Sequence, residues 1–188
     1  MPLPETPSSA SGLLLLCVDL QPVFLKAVPA HDMVQRRCAF AIQAAVGLAV
    51  PVLFTEQAPH KLGGTAPELL QLVPHPRAFG KTTFSALEDQ AIRQAVATPE
   101  TEHVLLCGVE TSVCIHQTAL DALAAGLQVT LLSDCVGARR AEDAQTCLAA
   151  LIRAGVNVLP AETVFYSLLH DVQHPFFRAY TQLVKASA

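Results

Sequence analysis

The chain changes its hydrophobic period again and again along its length, and that rhythm leaves few folds open to it. Apolar runs of strand length at residues 13–19, 50–55, 103–109, 128–134 and 156–160 alternate with stretches of helical spacing at 31–48, 114–125 and 142–154. A run that is apolar at nearly every position suits a strand covered on both faces, and strands separated by helices pair in parallel. The pattern predicts a three-layer α/β/α domain around a mostly parallel, Rossmann-like sheet. With 188 residues, 52% hydrophobic and only 15% charged, the chain can fill one core of that kind.

Local punctuation supports the division. Residues 1–12, rich in Pro and Ser, read as a flexible tail, and 13–188 as the domain. Ser85 and Glu88 have the spacing of a capping box ahead of Ala91, Ile92, Ala95 and Val96, while Gly126 and Gly155 stand just past two helices. The span 57–81, with Gly63, Gly64 and four prolines, reads as an irregular pocket wall or lid in which only 67–72 is helical. A last helix over 175–185 gathers Phe176, Phe177, Tyr180, Leu183 and Val184, either as core or as a contact between subunits.

Charge and cysteine usage narrow the partners. A net charge of -4 with scattered Lys and Arg offers no basic stripe for nucleic acid or an anionic membrane surface, so a small molecule is the expected partner. The apolar stretch 13–18 is too short to span a bilayer and no Lys or Arg precedes it, which argues against a signal peptide. The six cysteines contain no CxxC pair, as suits reduced thiols in the cytoplasm, and neither a metal nor a cofactor is expected. Cys17, Cys38, Cys107 and Cys147 read as small core residues, and Cys135 as core or pocket lining.

In a parallel sheet, ligands bind beyond the carboxyl ends of the strands. Asp19, Glu56 and Asp134 close three of the predicted strands, Glu110 and Cys114 follow a fourth, and Lys81 ends the long loop. Cys114 falls at a helix start, where unpaired N–H groups and the dipole would lower a thiol pKa and hold an oxyanion. Glu110 would oppose a thiolate if its side chain faced inward, so its backbone N–H is the useful part. His116, about 200° around the helix from Cys114, is a poor partner for the sulfur.

These residues stand in motifs. Val18-Asp19-Leu20-Gln21 with Phe24, Gly80-Lys81-Thr82-Thr83-Phe84-Ser85, and Gly108-Val109-Glu110-Thr111-Ser112-Val113-Cys114 with Thr118, Ala119, Asp121 and Ala122 together resemble the isochorismatase-like cysteine hydrolases, over about residues 13–185. The resemblance implies a catalytic Asp19, Lys81 and Cys114, an oxyanion hole from the Glu110 and Cys114 N–H groups after a cis Val109–Glu110 peptide, and an assembly of two or more copies. Phe24, Glu56 and Phe84 are the candidate substrate contacts. Thr55-Glu56-Gln57 resembles members without a metal site; the Asp-x-His pair of the family's nicotinamidases is missing here, and His60 and His75 alone do not rebuild it. The expected activity is cleavage of a C–N bond in an amide or carbamoyl compound through a Cys114 thioester, with Asp19 as general base and acid and Lys81 as electrostatic stabiliser. Three alternatives stay open: vinyl-ether hydrolysis of the isochorismatase type, a redox-sensing thiol with a resolving cysteine, and a catalytically silent binding module.

Overall fold

The computed structural model describes residues 10–187. Most of the predicted tail, 1–9, lies outside the described residues. Residues 10–12 already join the fold, because the Gly12 carbonyl accepts the N–H groups of Glu102 and His103 at 2.9 and 3.0 Å.

In chain order the elements are β1 (Leu13–Val18), α1 (Pro22–Leu25), α2 (His31–Gly47), β2 (Val52–Gln57), α3 (Pro59–Leu62), α4 (Pro67–Leu70), β3 (Arg77–Lys81), a 3-10 turn (Ala86–Glu88) and α5 (Gln90–Val96). There follow β4 (His103–Val109), a π turn (Thr111–Ile115), α6 (His116–Ala124), β5 (Gln128–Gly137), α7 (Ala141–Ala154), β6 (Asn157–Leu159), α8 (Ala161–Leu169) and α9 (Phe177–Ala186). The six strands form one sheet in the order β3-β2-β1-β4-β5-β6, every neighbouring pair parallel. Strand order therefore reverses between β1 and β4, and the crevice at that point lies beyond Val18 and Val109.

Side chains that alternate along each strand divide the core into two layers. Leu13, Leu15 and Cys17 of β1, with Phe54, Leu105 and Cys107, pack under α2, α8 and α9. Leu14, Leu16 and Val18, with Leu53, Val104 and Leu106, pack under α5, α6 and α7. All of β1 is buried, as its unbroken apolar run requires. Tyr180 of α9 is fully buried, its ring 5.6 Å from that of Phe40 and 5.0 Å from that of Tyr166. The aromatic face of the C-terminal helix thus forms core, with Phe176, Phe177, Leu183 and Val184 packed at its margin.

At the switch point the backbones of β1 and β4 approach closely. Gly108 has φ 122°, and a Cβ there would sit 2.0 Å from the Val18 carbonyl oxygen, so no other residue fits.

Four expectations need correction. The span 57–81 is not irregular throughout: Arg77–Lys81 is an edge strand, short and largely exposed and therefore poor in apolar signal. Ser85 caps the 3-10 turn through the Leu87 N–H, whereas α5 is capped by Asp89, which accepts from Ala91 and Ile92. β5 runs on to Gly137 past a bulge opposite Cys107, so Asp134 lies inside the strand rather than at its end. Cys147 on α7 is only half-buried, unlike the other three cysteines read as core.

Candidate active site

Asp19 is the first residue beyond β1. Its backbone turns into the left-handed region at φ 51°, with its N–H on the Thr55 carbonyl at 3.0 Å and its own carbonyl accepting from Gln21 N–H at 2.7 Å. This sharp exit aims a buried carboxylate across the switch point. Thr55 Oγ1 donates to Oδ1 at 2.8 Å and Lys81 Nζ donates to Oδ2 at 2.7 Å. Lys81, the last residue of β3, is itself buried, and its ammonium also reaches Gln57 Oε1 at 2.6 Å and the carbonyls of Thr83 and Phe84 at 3.2 and 3.3 Å.

Cys114 lies in the π turn after β4, where Ile115 N–H reaches back to the Glu110 carbonyl at 3.2 Å. Its Sγ stands 3.7 Å from Lys81 Nζ, the ammonium that also holds Asp19 Oδ2, and Asp19 lines the same cavity as the sulfur. Residues 19, 81 and 114, from the ends of three strands, thus meet at one point. The Val109–Glu110 peptide is cis.

The resting thiol differs from the sequence expectation. Burial pushes the Cys114 pKa up to about 12, the Asp19 charge adds to the rise, and Lys81 opposes both without overcoming them. Desolvation outweighs the helix-start effects that were expected to lower it. At neutral pH the site holds a protonated thiol beside an Asp–Lys ion pair.

A cavity of about 270 Å³ opens onto this cluster, lined by Asp19, Gln57, Glu110, Cys114 and Arg139 and walled by Phe24, Ala27, Val28, Phe84, Val109 and Val113. Phe24 and Phe84 therefore stand where substrate contacts were expected. Glu56 does not: on β2, Thr55 and Gln57 face the cluster and Glu56 points the opposite way, its carboxylate accepting the Thr65 N–H at 2.8 Å. Glu110 turns its side chain to the backbone N–H and Nε of Arg139, at 2.9 and 3.0 Å, and keeps its charge occupied there. Asp134 is remote from the site, pairing with Arg37 at 2.7 Å and accepting the Ala161 N–H at 2.8 Å.

The sequence reading missed Thr55, Gln21, Gln57 and Arg139 as members of the site. Period-two spacing from a buried strand could have placed Thr55 and Gln57 on one face. Nothing local marks Arg139, which arrives at the end of β5.

A model of the isochorismatase domain matches residues 13–163. The chain belongs to the isochorismatase-domain family. Among its relatives, isochorismatase domain-containing protein 2 of Bos taurus is 39% identical over 176 residues, 93% of this chain and 83% of that protein. Isochorismatase domain-containing protein 1 of Salmo salar is 34% identical over 175 residues; the match takes in 93% of this chain but spans only 62% of that longer relative. Of solved structures, a Caenorhabditis elegans protein described as MAR1 ribonuclease superposes with a TM-score of 0.89 at 28% identity, covering 94% of this chain and 91% of that one. The Escherichia coli YcaC gene product, an octameric hydrolase of unknown specificity, shares the fold at a TM-score of 0.85 and 20% identity, covering 98% of each chain. This isochorismatase-domain chain is accordingly a member of a hydrolase-like family, with its cluster at the crevice common to open parallel sheets.

Proposed function

We propose that the chain is a cysteine hydrolase that cleaves a C–N bond of the amide or carbamoyl type in a small molecule. The observation that carries the reading is the continuous contact of Asp19 Oδ2, Lys81 Nζ and Cys114 Sγ at the floor of an open cavity. As sulfur attacks the carbonyl carbon, the thiol proton passes to Asp19 and the S–C bond forms. Protonation of Asp19 removes the anion opposite Lys81, so the ammonium then faces the developing negative charge of the substrate. The Glu110 and Cys114 N–H groups are the proposed donors to the carbonyl oxygen. Collapse expels the amine, which takes the proton back from Asp19 and leaves a thioester. Water then loses a proton to Asp19, adds to the thioester, and regenerates the thiol with release of the acid.

The metal-ligand pair of the nicotinamidase pattern has no counterpart in this site. Glu56 and Gln57 are spent on the Thr65 amide and on Lys81, so no step is routed through a metal. The cavity walls favour a small, largely apolar substrate over RNA, and the arginine that lines it, Arg139, is paired with Glu110. Cytoplasmic residence and assembly into a homo-oligomer belong to the same proposal; among the described residues no helix is long and apolar enough to cross a membrane.

Intact-mass trapping tests the reading. Wild type and Cys114→Ala are incubated with a panel of small amides, carbamoyl compounds and an RNA oligonucleotide. An acyl adduct on wild type alone, with release of amine, is the expected result. Adducts on both proteins or neither, or cleavage of RNA that survives Cys114→Ala, overturn it.

A further inference from the structure

Lys81 must hold one carboxylate while remaining within reach of a thiol, and its position is fixed by a side chain that the proposed chemistry does not use. Gln57 Oε1 accepts from Lys81 Nζ at 2.6 Å, and Gln57 Nε2 donates to the Thr82 carbonyl at 3.0 Å. An ammonium can only donate and a carbonyl can only accept, so the two neighbours together require a group with an acceptor on one side and a donor on the other. A primary amide meets that requirement without adding charge.

Behind it stands a second amide. Gln21, fully buried, accepts the Gln57 backbone N–H through Oε1 at 2.7 Å and donates through Nε2 to the Gln57 and Gly63 carbonyls at 3.1 and 2.6 Å. Gln21 follows Asp19 by two residues, so the segment that supplies the carboxylate also anchors the residue that steers the lysine. Gln57 in turn lines the cavity beside Cys114.

We propose that Gln57 is a positioning residue for Lys81, held in place by Gln21, and that its neutrality reserves the lysine's charge for the thiolate and oxyanion. The inference rests on the cysteine-hydrolase reading. A carboxylate at position 57 would give the ammonium a second permanent anion, place another negative charge near the sulfur and lose the donor to Thr82. An aliphatic side chain would lose both hydrogen bonds and add no charge.

Capture of Cys114 by iodoacetamide tests this without knowledge of the substrate, with Cys114→Ala identifying the labelled site and circular dichroism checking each fold. At pH 8, Lys81→Met and Gln57→Glu should each slow capture tenfold or more, Gln57→Leu by less, and Gln21→Leu in the same direction as Gln57→Leu. Gln57→Glu should also be slower than Gln57→Leu by at least about threefold throughout pH 7 to 9, a charge effect that simple loosening of the loop would not give. If Lys81→Met slows capture but Gln57→Glu behaves like wild type or like Gln57→Leu, Gln57 has no such role and the hydrolase reading stands. If Lys81→Met itself has no effect, both fall.

Discussion

Replacing Asp19 by Asn should move two properties of the same thiol in opposite directions. Asp19 and Lys81 pull on Cys114 with opposite sign, and the carboxylate is the largest influence after burial in holding the thiol near a pKa of about 12. A full charge acting over about 4 Å at an effective dielectric of 20 is worth about 4 kcal/mol, or about three pK units. The cavity admits water, so about two units is a fair expectation once screening is allowed for. Asp19→Asn leaves Lys81, 3.7 Å away, with the sulfur as its remaining anionic partner, and the thiolate fraction at pH 7 should rise about a hundredfold. A less basic thiolate is a weaker nucleophile, with a Brønsted slope of about 0.4–0.5, which returns about tenfold. Net iodoacetamide capture at pH 7 should therefore be about ten times faster than in wild type. Turnover should instead fall by about a hundredfold or more, because no base remains for the thiol proton or for the hydrolytic water. Stopped-time alkylation read by intact mass, beside amine release from whichever amide the trapping panel identifies, measures both. Parallel loss of the two rates would refute this account of the resting thiol, and unchanged turnover would remove Asp19 from the chemistry.

Gly108→Ala should cost about 3 to 5 kcal/mol or abolish folding, since a Cβ at φ 122° would lie 2.0 Å from the Val18 oxygen; urea denaturation of the purified variant checks it. Tyr180→Ala should destabilise by about 3 to 5 kcal/mol through the cavity left among Phe40, Phe165 and Tyr166, and a loss under about 1 kcal/mol would show that α9 does not close this core. Burial pushes the His103 pKa down to about 4, so its contribution is complete above the unfolded value of 6.5 and is lost as pH falls through 4. Stability should decline by about 3 kcal/mol across that window, and the decline should be mostly absent in His103→Gln when both are titrated with urea at pH 7 and 4.

The layers were legible because burial on both faces of β1 and β4 leaves unbroken apolar runs, and because each helix between them carries an apolar stripe. Arg77–Lys81 was not legible for the opposite reason: an edge strand with three exposed residues among five need not be apolar, and the prolines around it suggest a loop. The same blindness hid the true support of Lys81, which reaches the cluster as a strand terminus rather than as the end of a loop. Asp19, Lys81 and Cys114 could be named from their motifs, but Glu56 was misplaced by one step of strand alternation. Its neighbour Gln57, uncharged and so without a chemical signature in the sequence, occupies the inward position. The direction of the Cys114 shift was also beyond the sequence, because a turn's local dipole can be read from residue order whereas desolvation depends on what packs around the sulfur.

The two-layer core also bears on the redox alternative. Cys17, Cys38, Cys107 and Cys135 all belong to the layer under α2, while Cys114 belongs to the layer under α5 and α6. The sheet backbone lies between these groups, so none of the four can act as a resolving partner without disruption of β1 or β4. Their sulfurs approach one another instead, Cys107 within 3.6 Å of Cys17, on the face away from the cavity. A thiol separated by the sheet from those four, with only the half-buried Cys147 of α7 on its own side, protonated at rest and opposite an acid–base pair, is poorly arranged for peroxide sensing, which favours an exposed thiolate. It is well arranged for a reaction in which the carbonyl substrate itself brings about proton transfer, since only then does the Lys81 charge become free to stabilise what forms.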